Sequence, residues 1–204
     1  MKSLQMWNNA LSGTIQLTDL PGKMEVVYLF DNQIKGSLDL DRLPGTVLTL
    51  FLHLNEFTGK VSLENLPKCL EHLDLSKNQL SGTICLISLP PALKDLVLDN
   101  NNSQGSLDFT RLPKSMRYIY LSENRFSGTI DLRNLPESMT FLNVRSNALS
   151  ANPTKGHLSV VGWTSTPVWG KPRTFLNPSS CFCHGADPID GHRKVVGQDQ
   201  YPAL

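Results

Sequence analysis

Apolar residues recur along most of this chain in a fixed figure. Between residues 1 and about 150 they follow the frame L-x-x-L-x-L-x-x-N-x-L, in which Met, Val, Ile or Phe sometimes stands for Leu. Leu70, Leu73, Leu75, Asn78 and Leu80 show it without substitution, and Met116, Ile119, Leu121, Asn124 and Phe126 show the looser form. The asparagine returns at an even 23-residue step, at Asn9, Asn32, Asn55, Asn78, Asn101, Asn124 and Asn147. A glycine follows four places later, from Gly13 to Gly128. An alternating apolar pair such as Ile15/Leu17 or Ile130/Leu132 comes next, and Leu-Pro closes the unit, from Leu20-Pro21 to Leu135-Pro136. Self-similarity at one fixed period is the signature of a repeat array.

The pattern predicts the local structure. L-x-L alternation makes a short strand with leucines inward and their neighbours outward. The asparagine amide satisfies backbone groups where the chain leaves the strand, bonding the coils above and below. Glycine supplies backbone freedom at the next bend. The apolar pair after it reads as a second, shorter strand, and Leu-Pro marks a corner, since proline cannot donate to a ladder. The remainder of each unit is too short and proline-broken for a proper helix. One unit cannot bury enough surface to offset its own ordering, so stability belongs to the stack.

On these motifs residues 1–150 resemble the leucine-rich-repeat superfamily, with six full repeats and one partial. The S-G-T-I and L-P elements (Ser127-Gly128-Thr129-Ile130) look like the repeats of protozoan surface leucine-rich-repeat proteins. They are similar, more distantly, to the plant receptor subclass carrying S-G-x-I-P. The resemblance implies a curved right-handed solenoid with a parallel sheet on its concave face, short second strands on the convex side and little helix. It also implies recognition of protein or carbohydrate.

The frame starts in phase at Met1, so Met1, Leu4, Met6, Leu11 and Ile15 are expected at an open end where solenoids usually carry a polar cap. Self-association through that end, or stacking on further repeats, is therefore an alternative role. The frame fails after Leu149, where the expected glycine is Ala151. The stretch 151–204 loses the period and is rich in proline and glycine. It reads as an irregular tail, with Val160, Val161, Trp163 and Trp169 available as a partial cap. The N-terminus shows no secretory signal and no stretch approaches a membrane span. The compartment is left open: cytoplasmic for the chain as it stands, the cell surface for a piece of a surface-type relative.

Composition changes this picture little. Nineteen basic residues against 18 acidic leave a net charge of +1, without the excess a nucleic-acid partner would call for. A protein partner is expected instead, with no cofactor and no catalysis. The outward positions of the main strands map the binding face. Its N-terminal part carries Trp7, Tyr28, Phe30, Phe51 and His53, and its C-terminal part Arg117, Tyr118, Tyr120 and Phe141. Between them stand Glu71, His72, Asp74, Lys77, Lys94, Asp95 and Asp99. Exposed aromatics and arginines are what interface hot spots favour, and the alternation predicts that these are exposed. Carbohydrate recognition through the same aromatics is a third role.

Other motifs carry less. Cys181-Phe182-Cys183-His184, with Asp187 and His192, spaces its cysteines too closely for a usual structural zinc site, so no metal is expected. Asn101-Asn102-Ser103 is a glycosylation sequon, but Asn101 is a ladder asparagine and is expected to stay unmodified. Ser103 replaces a core leucine and makes the fifth repeat the expected weak point. Gly22-Lys23, Gly59-Lys60 and Gly170-Lys171 lack the rest of a phosphate loop.

Overall fold

The computed structural model describes residues 1–151, and the chain there is a parallel β-solenoid. Each coil contributes one strand to each of two seven-stranded parallel sheets. The first sheet is built from β1 (Ser3–Gln5), β3 (Val26–Tyr28), β5 (Thr49–Phe51), β7 (His72–Asp74), β9 (Asp95–Val97), β11 (Tyr118–Tyr120) and β13 (Phe141–Asn143). The second holds β2 (Ser12–Thr14), β4 (Gln33–Gly36), β6 (Glu56–Lys60), β8 (Gln79–Thr83), β10 (Asn102–Gly105), β12 (Arg125–Ile130) and β14 (Ala148–Ala151). One 3-10 turn, Leu17–Asp19, is the only helical element among the described residues. The possible cap and the Cys181/Cys183/His184 cluster lie outside them.

The first sheet pairs residues one full repeat apart, Val27 with Leu50 and Leu50 with Leu73, so equivalent repeat positions stand directly side by side. In the second sheet Gly59 faces Leu80 rather than the next coil's Gly82, which staggers each strand by two positions against its neighbour. The second strands are not where the apolar pair suggests. They begin after the ladder asparagine and run through the glycine, and they are as long as the first-sheet strands or longer. In the coil of Ile84 and Leu86 the apolar pair comes after the strand and packs inward with both side chains buried, whereas Ile130 is the last residue of β12. The reason lies at the glycine, which holds φ between +82 and +99° at all six positions. That twist, in or at the end of the strand, re-aims the chain toward the core. A second constraint acts there: a Cβ on Gly82 would meet Lys60 Cγ at 2.7 Å, and one on Gly105 would meet Thr83 Cγ2 at 2.9 Å.

Inward residues fill one continuous core. Leu73, Leu75 and Leu70 are fully enclosed, as are Phe57 and Phe126. Ser103 is 2% exposed in the column that elsewhere holds Leu80 and Phe126, while its own coil carries the buried Phe109 where other coils have leucine. The larger ring returns to that coil some of the volume the serine removes.

The asparagine ladder closes the turn. Asn78 Nδ2 donates to the carbonyls of Leu52, Leu75 and Ser76, each at 3.1 Å, and Oδ1 accepts from Phe57 N at 3.0 Å. The side chain thus joins its own coil to the preceding one only, rather than to coils on both sides. The following coil is reached instead by backbone, Asn78 N donating to Asn100 O. Asn101 is engaged in the same way and buried, with its amide turned away from solvent. The residue before each asparagine sits in the left-handed region, at φ 51–58°, whatever its identity: Asn8, Asp31, Leu54, Lys77, Asn100, Glu123 and Ser146. Left-handed backbone costs a non-glycine residue about 1 kcal/mol, and stacking holds it in place.

A second, polar column lies at the corner after Leu-Pro. Thr46, Ser115 and Ser138 hydroxyls each donate to two carbonyls of the preceding coil, and the Cys69 thiol does likewise. Ala92 occupies the same column and has no such group.

Three outcomes follow from these ladders. Asn78→Ala is expected to lower unfolding free energy by about 3 kcal/mol or more, since it strands several buried backbone groups. Asn9→Ala, whose exposed amide donates only to Met6 and Trp7 carbonyls, should cost under about 1 kcal/mol. Ala92→Ser should restore the column and add about 1 kcal/mol. Urea denaturation of the three variants checks all of these together.

Candidate binding face

Of the residues the sequence assigned to binding, Tyr28, Phe51, Tyr118, Tyr120 and Phe141 lie on the first-sheet strands, Arg117 directly precedes one, and Trp7, Phe30 and His53 lie two residues past strand ends. Pairing one full repeat apart puts equivalent side chains about 4.8 Å from each other, close enough for rings to stack. Trp7 stacks on Phe30 with centroids 5.3 Å apart, and Phe30 stacks on His53 at 4.4 Å. In the next row Tyr28 stacks on Phe51 at 5.0 Å. Edge contacts join the two rows, Tyr28 to Phe30 and Phe51 to His53. These five residues form one group. A second holds Tyr120 and Phe141, with centroids 5.0 Å apart, and Tyr118, which lies opposite Phe141 in the sheet.

Stacking changes the expected exposure. Of the assigned residues, only Trp7 and Arg117 are exposed. Tyr28, Phe30, Phe51, Tyr118, Tyr120 and Phe141 are half-buried, and His53 is buried at 8% exposure. Where rings stack they cover one another's faces, Phe30 lying between Trp7 and His53 and Phe51 against Tyr28. His53 is therefore a packed member of the row rather than an exposed contact. Leu54, exposed on its left-handed backbone, stands beside this group.

Between the two ring groups lies the charged middle. Lys94 Nζ donates to Glu71 Oε2, and that bond holds the Glu71 carboxyl below its usual range. His72 Nδ1 pairs with Asp95 Oδ2. Asp74 Oδ1 accepts from both the backbone N–H and the hydroxyl of Ser76. Its Oδ2 lies 3.2 Å from His53 Nδ1, close enough for Coulomb attraction but out of hydrogen-bond alignment. Burial dominates at His53 and lowers its pKa, with Asp74 opposing. Asp99 is pushed up to about 6, first by burial and then by the negative charge of Asp74. Among the described residues no group of His, Cys, Asp and Glu is arranged to hold a metal ion.

Asp99 makes a pH-dependent contribution whose sign is fixed. Its folded pKa, about 6, lies above the unfolded value near 3.9, so the folded state binds the proton more tightly and stability falls as pH rises between them. Asp74 and Glu123 reinforce that cost, and Lys77 opposes it. Asp99→Asn is expected to stabilise the chain at pH 7 by about 1 kcal/mol, after discounting for partial exposure, and to leave stability near pH 3 unchanged. Urea midpoints at the two pH values check it.

Comparison with known proteins agrees with this geometry. The Leucine Rich Repeat family profile matches residues 69–89. No curated protein sequence matches the chain. Among solved structures, the Arabidopsis receptor kinase HAESA, in complex with the peptide hormone IDA and the co-receptor SERK1, is 30% identical with a TM-score of 0.64. The match covers 74% of this chain and 26% of HAESA's. The plant peptide hormone receptor RGFR1, in complex with RGF2, is 30% identical with a TM-score of 0.57, over 73% of this chain and 25% of its own. The ectodomain of the Arabidopsis receptor kinase GASSHO1/SCHENGEN3 is 27% identical with a TM-score of 0.61, over 73% and 19%. The chain thus spans about a quarter or less of these receptor chains. With its 23-residue period, its two parallel sheets and its inward asparagine column, this chain belongs to the leucine-rich-repeat proteins.

Proposed function

We propose that the chain is a protein-binding module and that the outer face of its first sheet does the binding. The observation that carries this reading is the pair of ring groups on one rigid sheet, Trp7/Tyr28/Phe30/Phe51/His53 and Tyr118/Tyr120/Phe141. Stacking fixes their rotamers before a partner arrives, so little side-chain entropy is lost on contact. The two solved relatives at 30% identity support it: HAESA is in complex with the peptide hormone IDA, and RGFR1, a plant peptide hormone receptor, is in complex with RGF2.

A displayed library of random twelve-residue peptides, selected on the purified chain, tests the reading without a known partner. Peptides are expected to enrich on the wild type and to lose at least tenfold in affinity on the triple variant Tyr28→Ala/Phe51→Ala/Tyr120→Ala. Enrichment that survives the triple variant, or no enrichment at all, would refute it. Circular dichroism on the variant confirms that the sheets remain.

A further inference from the structure

The gap between the two ring groups is unevenly neutralised. Glu71 is paired with Lys94, Asp95 with His72 and Glu123 with Arg145. Asp74 and Asp99 are left without a lysine or arginine partner. Asp74 meets only the Ser76 N–H and hydroxyl and the misaligned His53. Asp99 is hydrogen-bonded by its own backbone N–H and reached by Lys77 only through space. Among the described residues Lys77 forms no ion pair with either carboxylate. Beside them, His53 is more than nine-tenths buried, and its Nδ1, which faces Asp74, has no hydrogen-bond partner. An unmade hydrogen bond at a buried nitrogen is a cost to the fold, and carboxylates sharing a half-buried surface repel. The repulsion falls if a cation settles between Asp74 and Asp99, beside the unpartnered His53 Nδ1.

Resting on the protein-binding reading above, we propose that this gap receives a lysine or arginine side chain from an extended segment of the partner. The segment has the pattern apolar–x–(Lys/Arg)–x–apolar, with its apolar residues on Phe51 and Tyr120. The spacing follows from the sheet. Phe51 on β5 and Tyr120 on β11 occupy the same repeat position three strands apart, about 14 Å at ~4.8 Å per strand. An extended chain rises ~3.4 Å per residue, so its positions i and i+4 also stand about 14 Å apart. Position i+2 points to the same side and falls midway. That midpoint lies between Asp74 on β7 and Val97 on β9, and Asp99 stands two residues beyond Val97 on the same coil. Half-buried rings on either side shield the carboxylates from water and strengthen their pull on a cation.

The peptides enriched from the random twelve-residue library decide this separately from the binding reading. The expected result is a lysine or arginine two places from an apolar residue on each side. Affinity should fall at least tenfold on Asp99→Asn and on Asp74→Asn, and equally when that basic residue is replaced by norleucine in the synthetic peptide. Glu64→Gln, at an exposed carboxylate away from the face, should bind as the wild type does. Peptides that lose affinity on the ring triple variant but lack a basic residue, or ignore both Asp→Asn changes, overturn the cation subsite and leave the binding face standing. No enriched peptide overturns both. The norleucine peptide needs no altered protein, so a misfolded Asp variant cannot decide the outcome.

Discussion

Where each first-sheet strand ends, the chain turns inward and leaves backbone donors and acceptors that no strand can reach. A primary amide is the side chain that supplies two N–H donors and an acceptor within one short reach, and asparagine places it there. Asn78 satisfies three carbonyls and one N–H in this way, and the equivalents from Asn32 to Asn124 repeat the arrangement. Everything else in the solenoid is spaced from that column. The constant repeat length keeps the amides stacked, and it keeps every other column stacked with them.

That regularity also builds the face proposed to bind. A parallel sheet paired without stagger converts one repeat position into a straight row, so a change of residue from coil to coil becomes a pattern in space. Tyr28, Phe51, Asp74, Val97 and Tyr120 are one such row: rings, a carboxylate, an aliphatic and a ring. The staggered second sheet does not line up its positions in this way. Its outward residues are mixed and polar, among them Gln33, Glu56, Thr58, Gln79 and Arg125, and two others, Lys60 and Thr83, cover the next coil's glycine.

Much of this was readable from the chain. The period, the inward leucines and the ladder asparagines follow from patterns of polarity, because burial imposes the same requirement on every coil. The composition of the face followed too, since strand alternation assigns outward positions without reference to neighbours. What escaped notice depends on neighbours. The left-handed residue before each asparagine has no common chemistry, as Leu54, Lys77 and Glu123 show, because stacking enforces its backbone rather than its side chain. The glycines read as bends, but their second duty, leaving room for Thr83 or Lys60 of the preceding coil, needs the stagger of the second sheet. His53 looked exposed on alternation alone. Its burial comes from Phe30 and Phe51 packing across the sheet, and a row of three consecutive aromatic positions, Trp7, Phe30 and His53, was the available signal.

The central claim is that recognition uses the first sheet's outer face and not the second sheet. Backbone amide chemical shifts, followed while an enriched peptide is titrated into the isotope-labelled chain, test it most directly. Shifts concentrated at Tyr28, Phe51, Asp74, Asp99 and Tyr120, with the strands from Ser12–Thr14 to Arg125–Ile130 unmoved, are the predicted result. Shifts centred on those second-sheet strands, or spread evenly over both sheets, would contradict it.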